Sequence, residues 1–276
     1  MNPRRGMLAA AAGGLAAVAA PGAARAAQAP APGPVGHLGW WPWWLGDAWH
    51  ALDARALSRV VWFDAPVDAD GRVAARDPHA QRHALRAALP PQCRLEVAVT
   101  VLGAGAFEAV VAHAGRTARL HDDAVAMVRG AGRSSAAFDG LQLDVEVFDA
   151  ASPGALARFG AFVDRLRATL DAHAPGATLS ALVNAGPHAP WTRASSARLD
   201  HVAAQLYDAH WAGSDRAGPI VERAAGHPYS VGTTLARLDA LGVPRARVAL
   251  GTPLFGYEWP VESDRWGART RGEGSI

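Results

Sequence analysis

The sequence is short of cysteine, and it contains no block of basic residues. Cys93 is the only cysteine among the 276 residues, which excludes an internal disulfide and a zinc site built from several cysteines. A formal net charge of +2 rests on arginines spread along the chain, without the cluster or stripe that phosphate binding needs. These absences argue against nucleic acid as a partner and against a fold held by disulfides.

Several motifs of cofactor and metal chemistry are also missing. No Gly-x-Ser-x-Gly nucleophile elbow occurs, and Gly103-Ala104-Gly105 is too short for a phosphate-binding loop. His79 and His83 are spaced for one face of a helix, but no third metal ligand accompanies them, which favours a surface pair. We therefore expect a protein that works without a cofactor or a metal.

The first 26 residues are typical of an export signal. Arg4 and Arg5 precede an Ala-rich apolar run that ends in Ala24-Arg25-Ala26, where cleavage would follow. A membrane anchor or a helix of the fold are the alternatives, but the run is interrupted by glycine and proline and is short for a bilayer span. Paired arginines also fit a twin-arginine signal. We expect a periplasmic or extracellular protein, with a Pro-rich linker at 27–36 and one folded domain at 37–276.

Short apolar runs alternate with longer segments of helical period from His37 onward. This pattern predicts strand-helix units around a parallel sheet, that is, an α/β fold of the TIM-barrel type. A closed barrel of this type needs eight strands, and the residues after the seventh candidate show no strand pattern. We expect a barrel that lacks its last strand, a C-terminally incomplete domain, and unpaired first and seventh strands. The candidate strands are 37–44, 59–67, 95–102, 139–147, 178–184, 201–207 and 247–255.

The segment 138–147 carries the chemistry, because its polar and aliphatic residues alternate strictly. Gln142, Asp144 and Glu146 fall on one face of a strand, and leucines and valines fall on the other. In a barrel, the polar face points inward, where carboxylates are costly unless they are bonded or functional. The alternative is an antiparallel strand whose polar face meets water, and alternation alone does not decide between the two.

The same segment resembles the Asp-x-x-Asp-x-Asp-x-Glu motif of glycoside hydrolase family 18, the chitinase-like family. Asp139, Asp144 and Glu146 match it, whereas Gln142 replaces the second aspartate. Further matches are Gln205-Leu206-Tyr207-Asp208, similar to Met-x-Tyr-Asp, and Gly251-Thr252-Pro253-Leu254-Phe255-Gly256, similar to Gly-x-Pro-x-Tyr-Gly. The family's third-strand motif, Ser-x-Gly-Gly, is not recognisable. The resemblance covers about residues 37–272.

This resemblance implies a retaining glycosidase that uses its substrate's own 2-acetamido oxygen as nucleophile. It implies Glu146 as catalytic acid and Asp144 as the partner of the acetamido N–H. Tyr207 would bond the attacking oxygen, and Asp139 would orient Asp144. Gln142 would alter how the carboxyl groups share protons.

The resemblance also implies a substrate that contains β-linked N-acetylglucosamine, such as chitin, peptidoglycan or a related glycan. Among the aromatic residues, Trp211, Trp259 and one or two of the four tryptophans at 40–44, with Trp41 as candidate, are expected to stack on sugar rings. Gln142, Gln205 and Asp208 are further candidates for substrate contact. The alternatives are a chitinase-like carbohydrate-binding protein without turnover and an inactive fragment.

Overall fold

The computed structural model describes residues 36–276, except 52, 78–80, 130–137, 148, 185, 223–226 and 228. The predicted export signal and residues 27–35 of the predicted linker lie outside the described residues. In the part of the chain that is described, no helix is both long and apolar enough to cross a membrane.

The described residues form one sheet of seven parallel strands, in the order in which they occur along the chain. The sequence predicted all seven within a few residues, and the predicted TIM-type barrel without its last strand is confirmed. The strands are β1 (Leu38–Pro42), β2 (Arg59–Pro66), β3 (Arg94–Leu102), β4 (Gly140–Glu146), β5 (Thr178–Val183), β6 (His201–Gln205) and β7 (Val248–Gly251).

Six α-helices occur in the described residues, and all of them lie between successive strands from β2 to β7, so these connections are of the β-α-β type that is common between parallel strands. Short 3₁₀ turns occupy the connection from β1 to β2 and precede β7. The helices are α1 (Gln81–Ala88), α2 (Ala104–Val111), α3 (Ala114–Arg129), α4 (Pro153–His173), α5 (Arg193–Ser196) and α6 (Val231–Ala240).

The longest helix, α4, shows why the sequence folds as it does locally. The Ser152 side chain accepts a hydrogen bond from the Ala155 N–H, and Pro153 occupies the first turn, where its missing N–H costs nothing. The helix then buries one stripe against the sheet. Its buried side chains are Ala155, Phe159, Phe162, Val163, Leu166 and Leu170.

The outward face of the sheet is the hydrophobic core. Leu141, Leu143 and Val145 of β4 are at most 4% exposed and pack in one cluster with the apolar side chains of α2, α3 and α4. Because side chains alternate along a strand, this arrangement turns Gln142, Asp144 and Glu146 toward the interior. The prediction of an inward polar face is therefore confirmed, and the antiparallel alternative is excluded by the parallel pairing of β4 with β3 and β5.

The amino-terminal end of the interior is closed by a polar cluster around Glu96, which is fully buried. Its carboxylate accepts hydrogen bonds from Arg59 (2.5 Å), Thr178 (2.7 Å) and Ser180 (3.2 Å). His201 lies 3.6 Å away. The cation and the two hydroxyl donors offset the cost of burying this carboxylate, so the cluster holds Arg59, Thr178 and Ser180 in place at the base of the sheet.

The two edge strands approach each other through one side chain. In the described residues β1 pairs with β2 and β7 pairs with β6, and no backbone pairing joins β1 to β7. The Trp40 indole points inward and lies so close to Gly251 that a Cβ there would be 3.5 Å from the ring. The sheet is thus curled, with the Trp40 ring between its edges.

The residues after β7 fold back on the loop that follows β6. Two antiparallel bridges, Glu258 with Ser275 and Val261 with Thr270, form a small hairpin. Thr270 also donates from its N–H to the carbonyl of Asp215 (3.0 Å). This hairpin stands beside the carboxyl ends of β6 and β7, where barrel enzymes of this type build their sites.

Candidate active site

Asp144 and Glu146 form a carboxyl pair at the carboxyl end of β4. Asp144 is 2% exposed, and a hydrogen bond joins the two carboxyl groups. Burial raises the pKa of Asp144 well above its ordinary value, and the charges of Glu146 and Asp64 raise it further. The pair therefore retains a proton under conditions in which isolated carboxyl groups would have lost it.

Glu146 is the member of the pair that can donate this proton near neutral pH. Burial, followed by the charge of Asp208, raises the pKa of Glu146 to about 7, although its hydrogen bond to Asp144 opposes this rise. A group with such a pKa is suited to general acid catalysis at neutral pH. Glu146 lies at the last position of β4, at the carboxyl end of the strand.

Tyr207 stands beside the carboxyl pair, two residues after the end of β6. Burial first, and then the charges of Asp144 and Glu146, raise the pKa of its hydroxyl group well above the ordinary value. The hydroxyl therefore remains protonated and can donate a hydrogen bond. Its ring packs edge to face against Phe255, with 6.0 Å between centroids. This contact fixes the orientation of the ring.

Asp208 adopts a left-handed backbone conformation, with φ of 67°, which aspartate tolerates better than most residues. Its carboxylate accepts long hydrogen bonds of 3.4 Å from Gln205 and from the Tyr257 hydroxyl. Burial raises the pKa of Asp208, and the two hydrogen bonds act against the rise. Gln205 and Asp208 thus lie together next to Glu146, and the buried Gln205 Oε1 has no partner within the described residues.

Gln142 lies deeper in the interior than the carboxyl pair and is fully buried. Its Oε1 accepts a hydrogen bond of 2.7 Å from the Trp40 indole, while its Nε2 has no partner among the described residues. Trp40 therefore fixes the amide so that its donor group is available inside the barrel. This partner was not foreseen from the sequence.

Asp139 does not orient Asp144, and this part of the sequence prediction is wrong. Its carboxylate accepts two hydrogen bonds from Arg86 (2.5 and 2.7 Å) and one from the Leu95 N–H (2.8 Å). Burial acts to raise the pKa of Asp139, but these hydrogen bonds lower it overall. Asp139 precedes β4, and five residues of strand place it about 16 Å from Asp144. It is an anchor at the base of the barrel.

Trp41 does not face the barrel interior, so the prediction that it contacts a sugar is also wrong. The side chain is 8% exposed and belongs to the hydrophobic cluster under the helices. The interior position on β1 belongs to Trp40, because adjacent residues of a strand face opposite sides.

Trp211 and Trp259 lie together near the mouth. The Trp259 indole donates to the backbone carbonyls of Trp211 and Ala212, at 3.2 Å in both cases. Trp211 is 55% exposed. A ring contact of 5.6 Å joins Trp259 to Tyr257, which in turn bonds Asp208. Sugar stacking on these two tryptophans therefore stays a prediction that their position permits.

Sequence analysis did not identify three residues near the carboxyl pair, namely Asp64, Thr100 and Tyr229. Asp64 of β2 is 6% exposed and accepts a hydrogen bond of 2.9 Å from Thr100, the register partner of Asp144 on β3. Tyr229 lies close enough for the charges of Glu146 and Asp208, after burial, to raise the pKa of its hydroxyl group. No motif marked these positions.

Within the described ranges no group of three or more histidine, cysteine, aspartate or glutamate side chains could hold a metal ion. The acidic residues of the site are held by protein donors and by one another. This arrangement allows Glu146 to donate a proton to a bound molecule. The Tyr207 hydroxyl can donate a hydrogen bond to the same molecule, and the Asp144 carboxylate can accept one from it.

Comparison with known proteins agrees with this geometry. The model of the glycosyl hydrolases family 18 matches residues 76–275. No curated protein matches the chain by sequence.

Solved chitinases share the fold. The family 18 chitinase of Cycas revoluta, in complex with allosamidin, superposes with a TM-score of 0.71 at 20% identity, over 87% of this chain and 75% of that one. The class V chitinase of Nicotiana tobaccum gives a TM-score of 0.71 at 16% identity, over 86% and 72%. The second catalytic domain of the Ostrinia furnacalis group II chitinase gives 0.70 at 17% identity, over 84% and 68%. At these identities the likeness shows the fold alone.

Proposed function

Because the chain belongs to the glycosyl hydrolases of family 18, we propose that it cleaves β-linked glycans that contain N-acetylglucosamine, with Glu146 as the catalytic acid. Membership of the family makes it a glycoside hydrolase. The observation that carries the proposal is the Asp144–Glu146 pair, which faces the barrel interior, with Asp144 buried and Glu146 partly exposed, and whose carboxyl groups both have raised pKa values. No structural role for such a pair is evident, since burying two adjacent carboxyl groups costs stability.

In the first step Glu146 gives its proton to the glycosidic oxygen while the bond from that oxygen to the anomeric carbon breaks. The acetamido carbonyl oxygen of the same sugar attacks the anomeric carbon from the opposite face. The electron pair of the broken bond leaves with the protonated oxygen, and an oxazolinium ion remains. A water molecule then opens this ion and returns a proton to Glu146, so the configuration at the anomeric carbon is retained.

Asp144 and Tyr207 act on the acetamido group in this mechanism. Asp144 accepts a hydrogen bond from the acetamido N–H and stabilises the positive charge of the oxazolinium ion. The Tyr207 hydroxyl, which remains protonated, donates to the attacking oxygen and fixes its direction of approach. The site needs no protein nucleophile.

The substrate class follows from the need for a 2-acetamido group, which chitin and peptidoglycan both supply. Structures of the Cycas revoluta chitinase in complex with (GlcNAc)3 support N-acetylglucosamine oligomers as first candidates. The predicted export signal supports action on a glycan outside the cytoplasm, in the periplasm or beyond.

Hydrolysis of a series of chito-oligosaccharides, with Glu146→Gln as control, tests the proposal. We expect turnover by the wild-type protein and near-complete loss in the variant. Isothermal titration should show that the variant still binds the oligosaccharide, because the amide keeps the shape of the acid but cannot donate the proton. Binding without turnover by the wild-type protein would instead identify a chitinase-like carbohydrate-binding protein.

A further inference from the structure

The side chain of Trp40 reaches across the barrel interior to two other strands. Its indole N–H donates a hydrogen bond of 2.7 Å to Oε1 of Gln142 on β4, and Gln142 is fully buried. At the other end of the ring, Cη2 lies 3.5 Å from the position that a Cβ of Gly251 on β7 would occupy. The same Cβ would lie only 2.9 Å from the Ala204 carbonyl oxygen, so glycine allows β7 to approach both neighbours this closely.

Gln142 connects Trp40 to the acidic half of the candidate active site. It precedes Asp144 and Glu146 on β4 by two and four residues, and the three side chains face the interior. The whole strand is paired with β3 without a register shift. The bond from Trp40 to Gln142 therefore also fixes β1 relative to the two carboxyl groups.

Gly251 connects Trp40 to the other half of the site. Gly251 is the register partner of Gln205 on β6, and its carbonyl oxygen accepts a hydrogen bond of 3.1 Å from the Leu206 N–H. Tyr207 follows Leu206 directly in the chain. Trp40 therefore stands between the strand that carries the carboxyl pair and the backbone that holds Tyr207.

Backbone pairing alone does not provide a direct link across this side of the interior. In the described residues β4 connects to β7 only through β5 and β6, and no backbone pairing joins β1 to β7. Within the same part of the chain, Trp40 is the only residue of β1 whose side chain makes a hydrogen bond. The Trp41 indole N–H is buried without a partner, and the other three side chains of β1 have no polar group.

We propose that Trp40 is a positioning residue of the active site, which keeps Tyr207 at its working distance from the carboxyl pair by bonding Gln142 and packing against Gly251. The inference rests on the proposed function for the purpose of this distance, because Tyr207 and Glu146 there act on the same sugar. A displacement of about 1 Å between reacting groups can lower a rate by about 100-fold. The position of the Trp40 ring therefore affects turnover without any contact to the substrate.

Two substitutions remove this link in different ways. Trp40→Phe removes the N–H donor and shortens the ring, so kcat for a chito-oligosaccharide should fall by about 10- to 100-fold, with a smaller change in KM. Gln142→Met removes the acceptor but keeps the Trp40 ring beside Gly251, and it should also lower kcat. Because both substitutions break the same bond, the double variant should be no slower than Trp40→Phe alone.

Trp41→Phe is the matched control. The same substitution is made at the next residue, where the ring lies in the hydrophobic cluster under the helices and the indole N–H has no partner among the described residues. This variant loses buried ring volume and therefore some stability, but its kcat should stay close to that of the wild-type protein.

A Tyr207→Phe background separates positioning from a general loss of stability. Once the Tyr207 hydroxyl has been removed, Trp40→Phe should lower kcat by less than about 3-fold, because no hydroxyl remains to be misplaced. An equal loss of kcat in both backgrounds would overturn the inference, and so would full kcat in folded Trp40→Phe protein.

NMR of protein labelled with ¹³C-tyrosine tests the position of Tyr207 without a substrate, since the chain contains only three tyrosines. The Tyr207 ring signals, assigned from the Tyr207→Phe spectrum, should shift in Gln142→Met, which keeps the Trp40 ring, and stay in place in Trp41→Phe. Unmoved signals in Gln142→Met and Trp40→Phe would overturn the inference. If the signals shift but no protein hydrolyses the sugar, the proposed function fails, while the positioning of Tyr207 by Trp40 stands.

Discussion

Replacing Glu146, the proposed catalytic acid, should change stability in a pH-dependent way as well as abolish turnover. The fold raises the pKa of Glu146 from its ordinary 4.5 to about 7. Between these pH values the folded protein holds a proton that the unfolded chain releases, so stability falls as pH rises through this window. Below about pH 4 the Glu146 carboxyl group is protonated in both the folded and the unfolded state, so it no longer lowers the stability of the fold.

The size of the effect follows from the difference between 4.5 and about 7, which is about 2.5 pH units. At about 1.4 kcal/mol per unit this gives about 3.4 kcal/mol, which we reduce to about 2 to 3 kcal/mol because Glu146 is partly exposed. Glu146→Gln removes the ionisable group. The variant should therefore exceed the wild-type protein in free energy of unfolding by this amount at pH 8 and match it at pH 4.

Urea denaturation at both pH values measures this difference, and the melting temperature at pH 8 should rise by about 5 to 10 °C. Glu273→Gln, an exposed site on the C-terminal hairpin, is the matched control and should show no pH-dependent gain. An equal effect of Glu146→Gln at pH 4 and pH 8, or a loss of stability at pH 8, would refute the assignment of a raised pKa to Glu146.

Three further predictions concern the residues around the acid. Tyr207→Phe should lower kcat by about 10- to 1000-fold by removing one hydrogen bond to the reacting oxygen, and full activity would remove Tyr207 from the site. Gln142→Asp adds a like charge below Asp144 and should move the acidic limb of the pH–rate profile to higher pH; an unmoved limb would show that position 142 does not act on the pair. Asp139→Asn should lower the free energy of unfolding by about 1 to 3 kcal/mol at neutral pH, because it removes the salt bridge to Arg86, and urea denaturation measures this loss. The same variant should leave the pH–rate profile unchanged, and a shifted profile would indicate a catalytic role for Asp139.

The strand positions and the inward orientation of Asp144 and Glu146 could be predicted because alternation along a buried parallel strand is a strong signal. In β4 the aliphatic residues face the helices and the polar residues face the interior without exception. For β1, the sequence does not show which residues face the interior and which face the helices. Trp40 and Trp41 are equally apolar, so the sequence does not say which ring faces inward, and the candidate we chose was the outward one.

Asp64 could not be found from the pattern because β2 is irregular. Val60 and Trp62 face the helices, and strict alternation would send Asp64 the same way. A register shift between Trp62 and Ala65 changes the phase, and Asp64 turns inward to Thr100. The prediction that Asp139 orients Asp144 was wrong for another reason. The two residues belong to one sequence motif, but the five residues of extended strand between them keep their carboxyl groups far apart.

The stereochemistry of the first product tests the central claim most directly. In substrate-assisted catalysis the acetamido oxygen and then water attack the anomeric carbon in turn, so the β configuration is retained. ¹H NMR during the first minutes of chito-oligosaccharide hydrolysis should show the new reducing end as the β anomer, before mutarotation. It should also show no cleavage of the fully de-N-acetylated oligomer, which lacks the nucleophile. An α-anomeric first product, or equal cleavage of the de-N-acetylated substrate, would contradict the account.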